Sequence, residues 1–377
     1  MKILLFCWGD PTQATTWSNV PFCLSKGLEA NGHNVVGYNL NSHPSLSDFW
    51  DNHILRYLRK FFKNCQYGFL RTPFAQYFAN QIVRNAINQN KDADVCLFTT
   101  FSFCNRNKKL PSILFCDWSY ESYLNRINHK PFFFEKWFIK HERKCLRTAS
   151  ACVSLFPEAT EKINNQLGRK IVSWGGVSAV NILDRTPFNK ECIIKSSSQS
   201  FSILFIGDGK YIQGAELLVQ TFKLLKQQIP NVELNIIGLS ERQVLGNYQI
   251  DGVHCYGYLD KADVNDCAIY YGLLREAAVF CNPTEVWGGF SSTIEAMYYY
   301  TPVVVSPYDD FVAQFGTEID FGEYNTTFTA DSLMTKLQKI LSSSTVTRQQ
   351  LCEAAHLRVQ ECNWKTYSAR LLKFLNN

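Results

Sequence analysis

The chain predicts an α/β protein: two Rossmann-like domains facing a cleft. Three observations lead there. Its 377 residues exceed what one ordinary core organises. Short apolar runs alternate with amphipathic stretches, the pattern of βαβ units and parallel sheets. Both halves also begin alike, with an apolar strand, a glycine turn and a helix. Ligand is then expected at the carboxyl ends of the strands.

Residues 2–8 read as the first strand, ended by Gly9-Asp10; with no small-residue cleavage site nearby, the run is a strand and no signal peptide. A helix follows over about 19–30 and closes at Asn31-Gly32, a natural C-cap. His33 falls in the turn before the second strand. Residues 94–99, 112–116 and 151–156 read as buried strands, and 134–147 as a helix with His141 on its charged face. Residues 171–174 run into Gly175-Gly176. Periodicity fades from about 178 to 200, around Pro187 and a serine-rich run. The pattern then restarts: a strand at 201–206, the Gly207-Asp208-Gly209 turn, a helix at 215–228 and a strand at 232–237 closed by Gly238. Residues 259–276 are largely helical, 277–281 a short buried strand and 302–306 the last one. The expected division is an N-terminal domain over 1–180, a linker over 181–200 and a C-terminal domain over 201–355. A C-terminal helix, 356–377, is expected to pack back toward the N-terminal domain.

Composition, 46% hydrophobic and 19% charged, is that of a soluble globular protein. No run approaches the ~18–20 apolar residues of a membrane span. The 14 cysteines are scattered and several sit in apolar strands, as small hydrophobes do in a reducing compartment; no disulfide or zinc framework is implied. The expected setting is the cytoplasm, with peripheral attachment at the inner face of a membrane. The net charge of +5 is unevenly placed. Residues 52–90 contain no Asp or Glu but hold Arg56, Arg59, Lys60, Lys63, Arg71 and Arg84, interleaved with aromatic residues such as Tyr57, Phe61, Phe74 and Tyr77. Such a segment seats a helix on an anionic membrane surface, holds an acidic acceptor, or forms a solvated basic face over packed aromatics. No recognised motif points to nucleic acid. Stretches such as 50–90 are also the least patterned of the chain.

The most informative run extends from Cys281 to Met297. Its strand is followed by Pro283-Thr284-Glu285, Trp287, Gly288-Gly289 and Phe290, then a helix opening with Ser291 or Ser292. Glycines let backbone approach a ligand, and a helix start offers unpaired N–H groups and a positive dipole end to a phosphate. Glu285 and Glu295 flank that position with carboxylates able to accept from sugar or ribose hydroxyls. Diphosphate between two sets of hydroxyls describes a nucleotide-sugar. Alternatively, Ser292-x-x-Glu295 is a capping box that closes the first helical turn.

These residues resemble the glycosyltransferases of family 4, which have the two-domain GT-B fold. The resemblance lies in Gly32-His33-Asn34-Val35, Phe205-Ile206-Gly207 through Gly214, Leu234 to Gly238, Cys255 to Leu259, and above all Pro283 to Met297 with Thr301-Pro302-Val303-Val304. It covers the second half and, more weakly, the first. It implies a retaining, metal-independent hexosyltransferase that uses a nucleoside-diphosphate sugar as donor and no cofactor. The acceptor would be a glycan, lipid-linked or other molecule, in surface polysaccharide or glycoconjugate biosynthesis. By the same likeness Glu295 holds the ribose, Glu285 faces the transferred sugar, Lys210 is the phosphate cation, and Gly207, Gly209 and Gly289 are close-approach positions. Trp287, Gly288, Phe290 and Ser291 complete the donor side. From the first domain, Gly9 lines the cleft, with Asp10 and Thr12 beside it. Asp117 contacts the donor sugar or merely caps a turn, and Trp118 stacks on a sugar ring. The chain departs from the family too: eight positions before Glu295, where the family keeps its first glutamate, stands Trp287, and Asp208 and Gln213 occupy the usual basic positions. Two alternatives follow, a nucleotide-sugar epimerase or hydrolase of the same architecture and a catalytically weakened partner protein.

Overall fold

In a computed structural model of the protein, described for residues 1–105, 109–184, 186, 189–191, 201–285 and 290–375, the chain forms two compact units. One comprises Met1–Ser178 with Asn363–Asn377, the other Ala179–Cys362. Each is built on a six-stranded sheet whose strand pairs are all parallel.

The first sheet contains β1 (Lys2–Cys7), β2 (Asn34–Asn39), β3 (Val95–Phe98), β4 (Ser112–Cys116), β5 (Ala151–Ser154) and β6 (Val172–Trp174), in the order β2-β1-β3-β4-β5-β6. Its central strands are apolar on both faces because helices cover both sides of a parallel sheet. Ile3 to Phe6 and Val95 to Phe98 are fully buried. β1 pairs with β2 from Lys2–Asn34 to Cys7–Asn39 and with β3 from Ile3–Val95 to Phe6–Phe98. Strand order reverses between β1 and β3, which leaves a crevice at their carboxyl ends.

The poorly patterned stretch is helical: Pro44–Phe49, a wide turn at Trp50–Ile54, Leu55–Phe61 and Pro73–Gln89. Pro44 and Pro73 sit in first turns, where a missing N–H costs nothing. Thr72 caps the last of these helices, accepting from the Ala75 N–H at 3.2 Å. His141 does not lie on an open charged face as expected. It is half-buried, with Nε2 3.2 Å from the Ser102 carbonyl oxygen. The helix Trp364–Lys373 packs on Val20–Ala30, and Gly27 makes room for it: a Cβ there would stand 2.3 Å from the Trp364 carbonyl oxygen.

The second sheet contains β7 (Ser202–Ile206), β8 (Glu233–Ile237), β9 (Val253–Gly257), β10 (Val279–Asn282), β11 (Val303–Val305) and β12 (Gly322–Tyr324). Their order is β12-β11-β10-β7-β8-β9, with the reversal between β7 and β10. The strand expected at 302–306 as the last buried one is β11, and one more strand closes the sheet after it. β12 follows it as a three-residue, half-buried edge with no apolar run to announce it. Helices Ile212–Gln228 and Ala330–Leu341 share one core with this sheet, through Leu218, Phe222, Leu333 and Leu337 against Phe205, Leu234 and Ile236. The linker expected at 181–200 lies mostly outside the described residues. Its described start is tied down within the second unit: Leu183 N–H donates to Tyr271 Oη at 2.8 Å, and Asp184 pairs with Arg275 and accepts from Tyr299 Oη at 2.7 Å.

Candidate functional site

Around the second sheet, β7 ends at Ile206 and Gly207 turns the chain away. The Gly207 N–H donates to the Ile237 carbonyl at 3.0 Å, and a Cβ on Gly238 would lie 2.4 Å from the Gly207 oxygen. Gly238 has φ +96°, so two backbones cross here where only glycine fits. Asp208 accepts from the Lys210 N–H at 3.0 Å and closes the short turn Gly209–Tyr211. Gly209 faces open space. Lys210 Nζ is 3.5 Å from Asp208 Oδ2, and both side chains are more than half exposed. The expected phosphate cation is thus a solvated lysine whose field a neighbouring aspartate partly cancels.

β10 ends at Asn282, whose Oδ1 accepts from Thr284 Oγ1 at 2.7 Å and from the Thr284 N–H at 3.2 Å. That turn leaves Glu285 exposed at the surface. Trp287, Gly288 and Gly289 lie outside the described residues. The chain resumes at Phe290, N-cap of the helix Ser291–Tyr298. The Phe290 side chain is buried, its ring centroid 5.5 Å from that of Phe311 and 6.2 Å from that of Phe315. It anchors the core, so what it offers a donor is backbone. Ser291 is exposed, and no described side chain caps this helix. A helix start of this kind meets its first-turn N–H groups with side-chain caps, water or a ligand.

Glu295 does not close the first turn, which removes the capping-box alternative. It is 4% exposed and turned inward. Lys261 Nζ donates to both of its oxygens, at 2.7 and 2.8 Å, Tyr270 Oη to Oε2 at 2.8 Å and Tyr271 Oη to Oε1 at 3.2 Å. The Lys261 ammonium also sits 4.0 Å above the Tyr270 ring. Burial pushes both phenols well above their ordinary range, so they remain donors. A carboxylate has about four lone-pair sites, and here all are taken. A ribose hydroxyl reaches Glu295 only by displacing one of these donors. None of the three partners carried a sequence signal, because no spacing links 261, 270 and 271 to position 295.

The first unit holds a crevice of about 460 Å³ at the carboxyl ends of β1, β3 and β4. Asp117 and Trp118 line it, as do Cys7 and Trp8 from the end of β1; Gly9 is not part of the wall. Gly9 instead shapes the turn, with φ +112° and its N–H donating to Asn39 Oδ1 at 3.0 Å. Asp10 closes that turn on Thr12, accepting from its N–H at 2.8 Å and its Oγ1 at 2.7 Å. Asp117 Oδ1 accepts from the Trp118 N–H at 2.8 Å, so it has a turn-forming role while facing the crevice.

Glu142 and Arg71 also line this space; Arg71 belongs to the basic segment read as able to hold an acidic acceptor, whereas Glu142 did not stand out in the sequence. Glu142 is 4% exposed and accepts from the Tyr120 N–H at 2.6 Å and Ser102 Oγ at 3.3 Å, joining the loops after β3 and β4. Burial pushes its carboxyl up to about 7, against the pull of the Tyr120 N–H and the Arg71 charge. A signal existed: Glu135, Phe138, Glu142 and Cys145 share one buried helix face, and carboxylates in an apolar stripe are rarely idle. Glu135 behaves differently. Burial would raise it, but hydrogen bonds from Phe132 N–H, Gln66 N–H, His129 and Tyr120 hold it below the ordinary range. Among the described residues no three His, Cys, Asp or Glu side chains gather to hold a metal ion, and no helix is long and apolar enough to cross a membrane.

Residues 200–341 match the model of a family described as glycosyl transferases group 1. No curated protein matches the chain. Among solved structures, sucrose-phosphate synthase from Thermosynechococcus elongatus is 15% identical with a TM-score of 0.66, over 99% of this chain and 98% of that one. Anabaena HepE, solved in complex with UDP and glucose, is 14% identical with a TM-score of 0.61, over 100% of both. TarM of S. aureus, also solved with UDP bound, is 14% identical with a TM-score of 0.58; the match takes in 80% of this chain but only 58% of TarM, less than two thirds of its length. Two parallel six-stranded sheets and these likenesses identify the fold as GT-B.

Proposed function

We propose that the protein is a glycosyltransferase that moves a hexose from a nucleoside-diphosphate sugar to a glycan, lipid-linked or other acceptor. We further propose that it retains the anomeric configuration, needs no metal or cofactor, and serves surface polysaccharide or glycoconjugate assembly. One observation carries the reading. In the segment matching the group 1 glycosyl transferases, β7 and β10 run into the turns Gly207 to Lys210 and Pro283 to Glu285, beside a helix whose first turn no described side chain caps.

The bond from the anomeric carbon to the phosphate oxygen breaks with its electron pair going to the diphosphate. Stabilising that charge is the largest lever available. The N–H groups opening Ser291–Tyr298 and the Lys210 ammonium supply it. Glu285, exposed, meets the transferred sugar. Glu295 meets the ribose when Lys261 gives way, so the ribose reader is the ion pair and not the carboxylate alone. Asp117 and Trp118 hold a sugar in the first unit's crevice. UDP is the nucleotide to try first, since the HepE and TarM structures hold it.

A panel of UDP-, GDP- and ADP-linked sugars tests this by thermal shift and by nucleotide release. We expect one donor to stabilise the protein and its turnover to rise with acceptor. No binding at millimolar donor would end the reading. Donor turnover indifferent to acceptor favours the epimerase or hydrolase. Normal folding without any donor-dependent shift favours the weakened partner.

For location we propose the cytoplasm, with the protein held to the inner face of a membrane by its 52–90 segment. Phe49, Tyr57, Phe61, Phe74 and Tyr77 are between 53% and 67% exposed, and Arg56, Lys60 and Lys63 are exposed among them. Aromatic and basic groups together suit an anionic interface. Co-sedimentation should bring down more protein with vesicles of phosphatidylglycerol and phosphatidylcholine than with phosphatidylcholine alone. Equal recovery on both would overturn the assignment.

A further inference from the structure

We infer that the crevice of the first unit takes a sugar bearing an acid group, a carboxylate or a phosphate, and that Arg71 reads that charge. The inference rests on the transferase reading, whose acceptor it describes.

The space suits a small polar ligand with flat apolar faces. Its volume, about 460 Å³, falls within the ~300–1,000 Å³ of small-molecule sites. Trp8, Trp17, Trp118 and Tyr120 line it, and such rings pack against the C–H faces of a pyranose. Trp8 is held in place by stacking on Phe103, with centroids 5.8 Å apart and planes 2° from parallel.

Arg71 is fixed in the wall. Its backbone ends the short turn Phe69–Arg71, which Asp51 Oδ1 holds through the Phe69 N–H at 2.8 Å and Thr72 Oγ1 holds through the Phe69 carbonyl at 2.7 Å. Its guanidinium lies 4.3 Å over the Tyr120 ring, and Tyr120 is itself pinned by Oη donating to Glu135 Oε1 at 2.9 Å. One face of the cation is therefore covered, leaving its edge for the forked contact that arginine makes with planar oxyanions.

Among the described residues no carboxylate pairs with Arg71, and its buried Nε has no acceptor. A partly desolvated cation with an unmet donor is costly, and an oxyanion beside it offsets that cost. The two acidic residues facing the crevice do not fill the role. Asp117 is engaged by the Trp118 N–H, and Glu142 by Tyr120 and Ser102. With its carboxyl pushed up to about 7, Glu142 is also part-protonated near neutral pH and neutralises Arg71 only in part.

The test uses the whole protein without donor. Methyl glucuronide, glucose 6-phosphate and methyl glucoside are titrated by ligand-observed NMR, with UDP, GDP and ADP titrated separately. One or both acid-bearing sugars should bind at least tenfold more tightly than the neutral glucoside; which of them does so identifies the acid. Arg71→Gln should abolish that preference while leaving glucoside and nucleotide binding unchanged, and Arg71→Lys should restore part of it. Equal binding of acidic and neutral sugars, a preference that survives Arg71→Gln, or no sugar binding alongside intact nucleotide binding would each overturn the inference without touching the transferase reading. Failure of UDP, GDP and ADP alike to bind the unaltered protein would instead remove the reading beneath it.

Discussion

At the scale of single residues, the Lys261–Glu295 pair sets the terms for the second unit. Their side chains are 13% and 5% exposed. Removing one member of such a buried pair leaves an uncompensated charge and costs about 3–5 kcal/mol. Lys261→Met should therefore destabilise the second unit by that order in urea unfolding, and a change under about 1 kcal/mol would show that water reaches Glu295. Glu142 predicts a pH effect. Its folded value of about 7 lies above its ordinary 4.5. Protonation thus favours the folded state, so the stabilisation is complete below about 4.5 and is lost as pH rises through 7. Glu142→Gln should lose less melting temperature than the parent between pH 5 and 8; parallel curves would contradict this. Position 295 stood out in the sequence because a motif surrounds it. Lys261 did not, because its contact arises only when the chain between 261 and 295 is folded.

At the scale of elements, the approach of helix Ile212–Gln228 to the turn after β10 is set by one glycine. A Cβ on Gly214 would lie 2.2 Å from Thr284 Oγ1 and 2.9 Å from the Thr284 nitrogen. In an open helix Gly→Ala gains up to ~1 kcal/mol, but overpacking costs ~1–3 kcal/mol, and a clash with backbone tips the balance. Gly214→Ala should lower the melting temperature and, under the proposed function, weaken donor binding by displacing Thr284 and Glu285. Unchanged stability would show that the turn yields freely. Most strands were legible because burial on both faces writes them as unbroken apolar runs, as in Ile3 to Phe6 or Val303 to Val305. β12 was not, since an edge of three residues needs no such run. The helices between 44 and 89 were hidden for the opposite reason. Phe49, Tyr57, Phe61, Phe74 and Tyr77 add aromatic residues on exposed faces and blur the helical period.

At the scale of the whole molecule, the fold class was readable from repetition, since each half opens on strand, glycine turn and helix. What repetition did not convey is the chemistry of each unit, which depends on side chains brought together from distant segments: Arg71, Asp117 and Glu142 around the crevice of one, Lys261, Tyr270 and Glu295 in a buried cluster of the other. The helix Trp364–Lys373 is part of the first unit, with Asn31 Nδ2 donating to the Lys365 carbonyl at 2.7 Å and to Ser368 Oγ at 2.9 Å, and Arg370 donating to the Val177 carbonyl at 2.7 Å. Deleting residues 363–377 should raise amide exchange throughout Met1–Ser178 while leaving Ala179–Cys362 protected. Uniform protection in the shortened chain would show that this helix is dispensable.

The same arrangement bears on biosynthesis. The unit started first on the ribosome is completed last, because Ala179–Cys362 interrupts it and Asn363–Asn377 emerges only afterwards. The intervening segment has all its own pieces early and can mature as a body. Meanwhile the amino-terminal portion waits with the Gly27 groove unfilled and Phe115 without its neighbours Trp364 and Tyr367. During that interval the apolar surface these contacts cover stays open to non-native association.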